Sequence, residues 1–294
     1  MSDKNKLRIE LNNRKIKLNF NKTNLLDLFS QPLNAINIFL TLNSIKPVSR
    51  LELSEEEINK LKSFCIQENL HFCKSEFSFQ NPKKFFVYFS KDKEKTLQAK
   101  EIESNQNDQK FGQLLGYPSC CTKFYTENYE LASRIFNRDH SLITIKNSQN
   151  TTNIPFQLNY FLRFFGILLI DFYPCSFQCK EAMNLSKKYF ELIQKSNPEF
   201  ANFIKEKLST FIYYDNQTGV HIFEKKISKL TKHEFNKFTY ENVLLTSQNK
   251  DYEIFSKGNT IQISKNTCNK LTLFILNDFK PIGQKDFFGF LNFN

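Results

Sequence analysis

Two short segments, each a proline turn followed by a pair of cysteines, restrict this chain more than anything else in it. The first runs Leu115-Gly116-Tyr117-Pro118-Ser119-Cys120-Cys121-Thr122-Lys123-Phe124, and the second Tyr173-Pro174-Cys175-Ser176-Phe177-Gln178-Cys179. Proline and glycine break the chain just ahead of the sulfurs, and the apolar and charged pattern beyond each break has helical spacing. Ser119 is placed to cap the first helix, with Cys120 and Cys121 in its first turn. Cys175 and Cys179 are four apart, so a helix from Cys175 to Gln194 would carry both on one face.

Sulfurs at two helix starts have a defined electrostatic setting. Free backbone N–H groups and the positive end of the helix dipole favour thiolate over thiol. Four such thiolates are the donor set of zinc or of an iron–sulfur cluster. The spacing is not that of a zinc ribbon, which uses C-x2-C pairs, and adjacent cysteines rarely share one tetrahedral ion. Two other readings therefore stand beside the metal. One is a thiol-dependent enzyme or redox sensor, with Cys120 or Cys121 as nucleophile or the two joined in a vicinal disulfide. The other is that all four are small buried hydrophobes.

The turn Gly116-Tyr117-Pro118, the pair Cys120-Cys121, Phe124, and the later Pro174-Cys175-Ser176 with Cys179 resemble an uncharacterised archaeal and bacterial family of unknown function. The likeness covers about residues 111–190. It implies a shared four-cysteine site and names no reaction. That family often has a histidine just before its Pro-Cys, where this chain has Phe172 and Tyr173. The departure puts in doubt any acid–base or ligand role for that position.

Cysteine usage fits a reducing compartment. Met1–Lys6 leads into a polar segment with no apolar signal region, so the expected location is cytoplasmic. The most apolar stretch, Tyr160–Tyr173, is too short for a bilayer and reads as a buried helix opened near Pro155, with no membrane partner expected. The net charge of +11 raises the question of nucleic acid. Residues 1–50 hold nine Lys/Arg against three Asp/Glu, whereas residues 101–200 hold ten of each. The excess therefore sits away from the cysteines. An RNA-associated protein with a basic N-terminus is an alternative, but a solvated lysine-rich surface is favoured. The 33 Phe and absence of Trp also match AT-rich codon usage.

The expected fold class is α+β in three parts: a small N-terminal α+β unit (1–89), a helical cysteine-bearing centre (90–210) and a β-rich C-terminal module (211–294). Leu7, Ile9 and Leu11, then Ile16, Leu18 and Phe20, alternate as in a β-hairpin. Leu33–Ile45 reads as a helix, and Ser54 with Glu57 makes a capping box ahead of Ile58, Leu61 and Cys65. His71–Phe79 and Phe85–Phe89 read as strands. Short apolar runs at 211–214, 220–223, 243–245, 261–263, 271–275 and 287–293 supply the C-terminal strands. Cys65 and Cys73 read as core, and Cys268 as isolated in a polar turn. The four histidines share no metal-binding spacing, although His140 is placed to approach the cysteines. Arg163 interrupts the apolar stretch and either meets an anion or reaches the surface. With seven glycines and no G-x-S-x-G or H-E-x-x-H motif, the usual nucleotide cradles and hydrolase elbows are absent.

Overall fold

The structure is a computed structural model, and it describes residues 9–80, 83–135, 140–148, 153–215, 219–225, 235–246, 260–264, 270–275, 278–284 and 288–293. It is an α+β fold whose chain divides into two compact units, residues 1–149 with 157–206, and residues 150–156 with 207–294. Among the described residues no helix is long and apolar enough to cross a membrane.

The first unit opens with α1 (residues 9–13), where alternation had suggested a strand. Leu11 is buried while Ile9 is 43% exposed, so the two do not share one buried face. The helix ends at Lys15, which takes a left-handed φ of 54° as Ile16 N–H returns to Leu11 O. Leu7 lies outside the described residues. A two-residue hairpin follows instead, β1 (Asn19–Phe20) with β2 (Thr23–Asn24), and then α2 (Leu25–Leu28).

Helix α3 (Pro32–Leu42) is the centre of this unit, and nearly every one of its residues is buried. Its polar side chains are therefore paired. Asn34 donates to Glu52 O at 3.1 Å, and Thr41 and Ser49 share a hydroxyl contact at 2.6 Å. The strands β3 (Ser49–Leu53), β4 (His71–Gln80) and β5 (Lys83–Ser90) form an antiparallel sheet with β5 in the middle. Helix α4 (Glu55–Glu68) lies between β3 and β4 in sequence and starts at the expected capping box.

Val87, Tyr88 and Phe89 are all fully buried, so β5 is covered on both faces. The second cover comes from α5 (Lys93–Ser104) and α6 (Asp108–Leu114), whose Ala99 and Phe111 cluster with Tyr88, Val48 and Leu115. Cys65 is buried as expected and Cys73 is half-buried. Gly116 closes α6 at φ +83°, and a Cβ there would meet Pro47 Cδ at 2.8 Å. Only glycine satisfies both conditions.

Helices α7 (Ser119–Ile135), α8 (Ser141–Asn147), α9 (Lys180–Ser196) and α10 (Pro198–Leu208) complete the unit. The apolar stretch before the second cysteine pair is not an α-helix. After β6 (Asn153–Ile154) come 3-10 turns at Phe156–Leu158 and Phe161–Phe165, and from Gly166 the chain runs irregularly to Cys179. Ile167, Leu168, Leu169 and Ile170 are all at most 3% exposed. A run buried on every side has no periodicity to read, so it signals burial without choosing a backbone conformation.

The second unit is one sheet of eight strands in the order β12-β11-β10-β9-β8-β7-β13-β6. Its other members are β7 (Phe211–Asp215), β8 (Gly219–Lys225), β9 (Phe235–Thr246), β10 (Thr260–Ser264), β11 (Lys270–Ile275), β12 (Asp278–Gln284) and β13 (Phe288–Phe293). All neighbours are antiparallel except β6 beside β13. The long β9 joins the two halves, giving residues 235–239 to β10 and 240–246 to β8. Cys268 and His233 lie outside the described residues, and His221 is buried within β8.

Candidate metal centre

The start of α7 brings in the first pair. Helix formation begins at Ser119, one residue earlier than a serine cap requires, because Pro118 O accepts from the N–H groups of Cys121 and Thr122 at 2.9 and 3.0 Å. Thr122 Oγ1 donates to Ser119 O at 3.0 Å and tightens the turn. Cys120 and Cys121 therefore occupy the first turn, as expected.

The second pair arrives differently. Helix α9 begins only at Lys180, and Cys179 is its N-cap, with Cys179 Sγ accepting from Ala182 N–H at 3.4 Å. Cys175 and Cys179 are thus drawn together by a turn in the loop and not by one helical face. That loop is gripped by α8 and the residue after it. Thr144 Oγ1 donates to Pro174 O at 2.9 Å, Asn147 Nδ2 to Cys175 O at 2.7 Å, and Phe177 N–H to Ser148 Oγ at 2.9 Å. Nothing in the sequence around Thr144–Ser148 advertises this grip, because isolated hydroxyl and amide side chains have no periodic signature.

The four sulfurs meet. Cys120 Sγ lies 3.8 Å from Cys121 Sγ and 3.5 Å from Cys179 Sγ, and Cys121 and Cys179 are separated by 3.7 Å. Cys175 Sγ joins them, all four lying within 4.8 Å of one another and close enough to hold one metal ion. Cys121 and Cys179 are buried, while Cys120 and Cys175 are half-buried.

Two further contacts address the sulfurs. Cys175 N–H points at Cys121 Sγ at 3.4 Å, and Cys120 Sγ lies 3.4 Å from Glu181 Oε2. Among the described residues no second cluster of histidine, cysteine or carboxylate groups is placed to hold a metal ion. His140 instead stacks on Tyr125, centroid to centroid at 4.2 Å, and lies beside Tyr173. Phe172 packs on Tyr117 at 4.9 Å, so both residues before Pro174 are engaged in ring packing.

Titration behaviour follows from the crowding. Thiol donation from Cys121 holds Cys179 down at about 5, helped by the Ala182 N–H and working against burial. The same bond, together with burial, pushes Cys121 far up. Burial pushes Cys120 up to about 12 and also raises Cys175. Coordination of a divalent ion would override these shifts, since a coordinating thiol loses its proton outright.

A buried ion pair, unforeseen in the sequence, anchors the chain just before this site. Lys46 has a fully buried ammonium that meets Asp171 Oδ2 at 2.7 Å and Asn37 Oδ1 at 3.0 Å. Arg163 is half-buried, donates to Ser141 Oγ at 3.3 Å and lies over the Tyr173 ring at 5.1 Å.

Residues 95–209 match a family described as Protein of unknown function (DUF483). The match spans both cysteine pairs and α8, and it agrees with the resemblance drawn from the motifs. No curated protein and no solved structure matches this chain.

Proposed function

We propose that Cys120, Cys121, Cys175 and Cys179 bind one zinc ion in a closed tetrahedral site that staples the start of α7 to the loop and cap of α9. The supporting observation is the spacing of the sulfurs. A Zn–S bond of about 2.3 Å places tetrahedral sulfurs about 3.8 Å apart. The separations among Cys120, Cys121 and Cys179 are 3.5, 3.7 and 3.8 Å, and Cys175 lies within 4.8 Å of them. An iron–sulfur cluster spreads its thiolates by the width of its own metal and sulfide core, beyond the edge of one tetrahedron.

Four protein ligands leave no coordination position for substrate, which favours a structural role over metal-based catalysis. Two helix N-termini and the N–H groups of Cys175 and Ala182 offset the negative charge of a four-thiolate ion. The thiol-chemistry alternative needs an activated Cys120 or Cys121, and both are pushed upward. The nucleic-acid alternative draws on the basic residues of positions 1–50. Of these, Arg14 is bound to Glu10 and Glu206, and Lys46 is buried.

Anaerobic purification with elemental analysis and a visible spectrum tests the proposal, on wild type and Cys175→Ser. About one zinc per chain with no visible absorption, lost in the variant, is the expected result. Iron at several atoms per chain with a broad visible band would refute the zinc assignment. Metal-free, folded wild-type protein would remove the metal altogether.

A further inference from the structure

A cleft of about 350 Å³ opens beside the segment that leads into Cys175. That volume lies within the range of small-molecule sites. Its wall combines two guanidinium groups, Arg50 and Arg163, with the rings of Phe86, Tyr160 and Tyr173. The guanidinium groups are held by those rings. Arg50 lies 4.5 Å from the Phe86 centroid, and Arg163 lies 5.1 Å from that of Tyr173 and 5.9 Å from that of Tyr160. Such stacking fixes the planes of the guanidinium forks, which are shaped for two-point recognition of phosphate or carboxylate.

The carboxylates of the wall are each neutralised by a lysine, so they do not bar an anion: Asp171 has Lys46 at 2.7 Å and Glu52 has Lys84 at 2.9 Å. The Arg50–Glu103 pair is longer, at 3.8 Å. The aromatic walls supply flat apolar faces on which a ring can lie.

We propose that this cleft binds a small molecule carrying a phosphate or carboxylate group on a flat ring, with Arg50 and Arg163 taking the anionic group. The site contains no cysteine, so it stands independently of the zinc assignment. The two are nevertheless neighbours. Arg50, Tyr117, Asp171 and Tyr173 also line a second cavity of about 140 Å³ that extends to Cys121.

Isothermal titration of the full-length, metal-loaded chain with phenyl phosphate, benzoate and inorganic phosphate tests this. Phenyl phosphate, benzoate or both should bind saturably and more tightly than inorganic phosphate. Arg163→Gln and Arg50→Gln should each weaken that binding by about tenfold to a hundredfold, the loss expected for a hydrogen bond to a charged group. Metal content and melting temperature verify that each variant is folded. Should Arg163→Gln fail to fold, the more exposed Arg50 carries the test alone, its side chain being 39% accessible. Absence of saturable binding by the ring-bearing probes overturns the proposal, as does binding that folded variants leave unchanged. Wild-type chain that purifies folded and without metal, yet binds phenyl phosphate through these arginines, would sink the zinc reading and leave this one standing.

Discussion

Asp171 and Lys46 form the contact on which a single substitution should tell most. The ammonium is fully buried and the carboxylate nearly so, at 13% exposure. Removing one partner of such a pair leaves an unpaired charge in a medium that solvates it badly. Asp171→Asn should therefore cost about 3–5 kcal/mol, read as a lower urea midpoint with an unchanged slope. Adding Lys46→Met to Asp171→Asn should recover most of that loss, because the stranded charge is gone. A single variant as stable as wild type would show that the pair is solvated. None of this was legible in the sequence, where Lys46 is one cation in a basic segment and Asp171 merely bounds an apolar run. The four cysteines were legible because rare residues in two proline turns stand out without any knowledge of the fold. What the sequence misjudged was how Cys175 and Cys179 come together. A separation of four residues suits a helical face equally well as a loop that ends in an N-cap.

The start of α4 offers a pH test. Glu57 accepts from Ser30 N–H at 2.6 Å and from Ser54 N–H at 2.9 Å, and Ser54 Oγ accepts in turn from Glu57 N–H. Burial pushes the Glu57 carboxyl up, but these bonds outweigh it and leave the group below its ordinary 4.5. A depressed carboxyl contributes stability that is fully present above the unfolded value and lost as pH falls through the folded one. Glu57→Gln should thus cost about 1 kcal/mol near neutrality, and the gap from wild type should shrink as pH drops below 4.5. Thermal melts of both proteins from pH 7 to pH 3 would measure it; a constant gap contradicts the assignment. This element was readable because every local signal agreed, from the cap box to the buried Ile58, Leu61 and Cys65. Six strands of the second unit were readable as short apolar runs between polar segments, whereas β12, interrupted by Pro281 and Gly283, and the two-residue β6 were not. Residues 9–13 and 160–173 were misread for opposite reasons. The first alternates by composition and not by burial, and the second is too uniformly apolar to show any period.

Over the molecule as a whole, the zinc proposal predicts where structure loosens when metal is removed. Chelation should raise amide hydrogen exchange first at residues 119–124 and 175–183, whose N–H groups turn around the sulfurs. The core about α3, held by apolar burial, should respond later. Uniform exchange before and after chelation would mean that the ion carries no structural weight. The distance along the chain between the two pairs adds a consequence for assembly. Cys121 is 54 positions from Cys175 and 58 from Cys179. Bringing such points together in an unfolded chain costs about 4 kcal/mol of entropy. On the zinc proposal, Cys120 and Cys121, adjacent and preceded by the Gly116-Tyr117-Pro118 turn, would meet the ion before that closure is made. Metal acquired at this stage would act as a tether for the later-synthesised loop, so zinc supplied during refolding should speed recovery, whereas zinc supplied afterwards would only secure what had already formed.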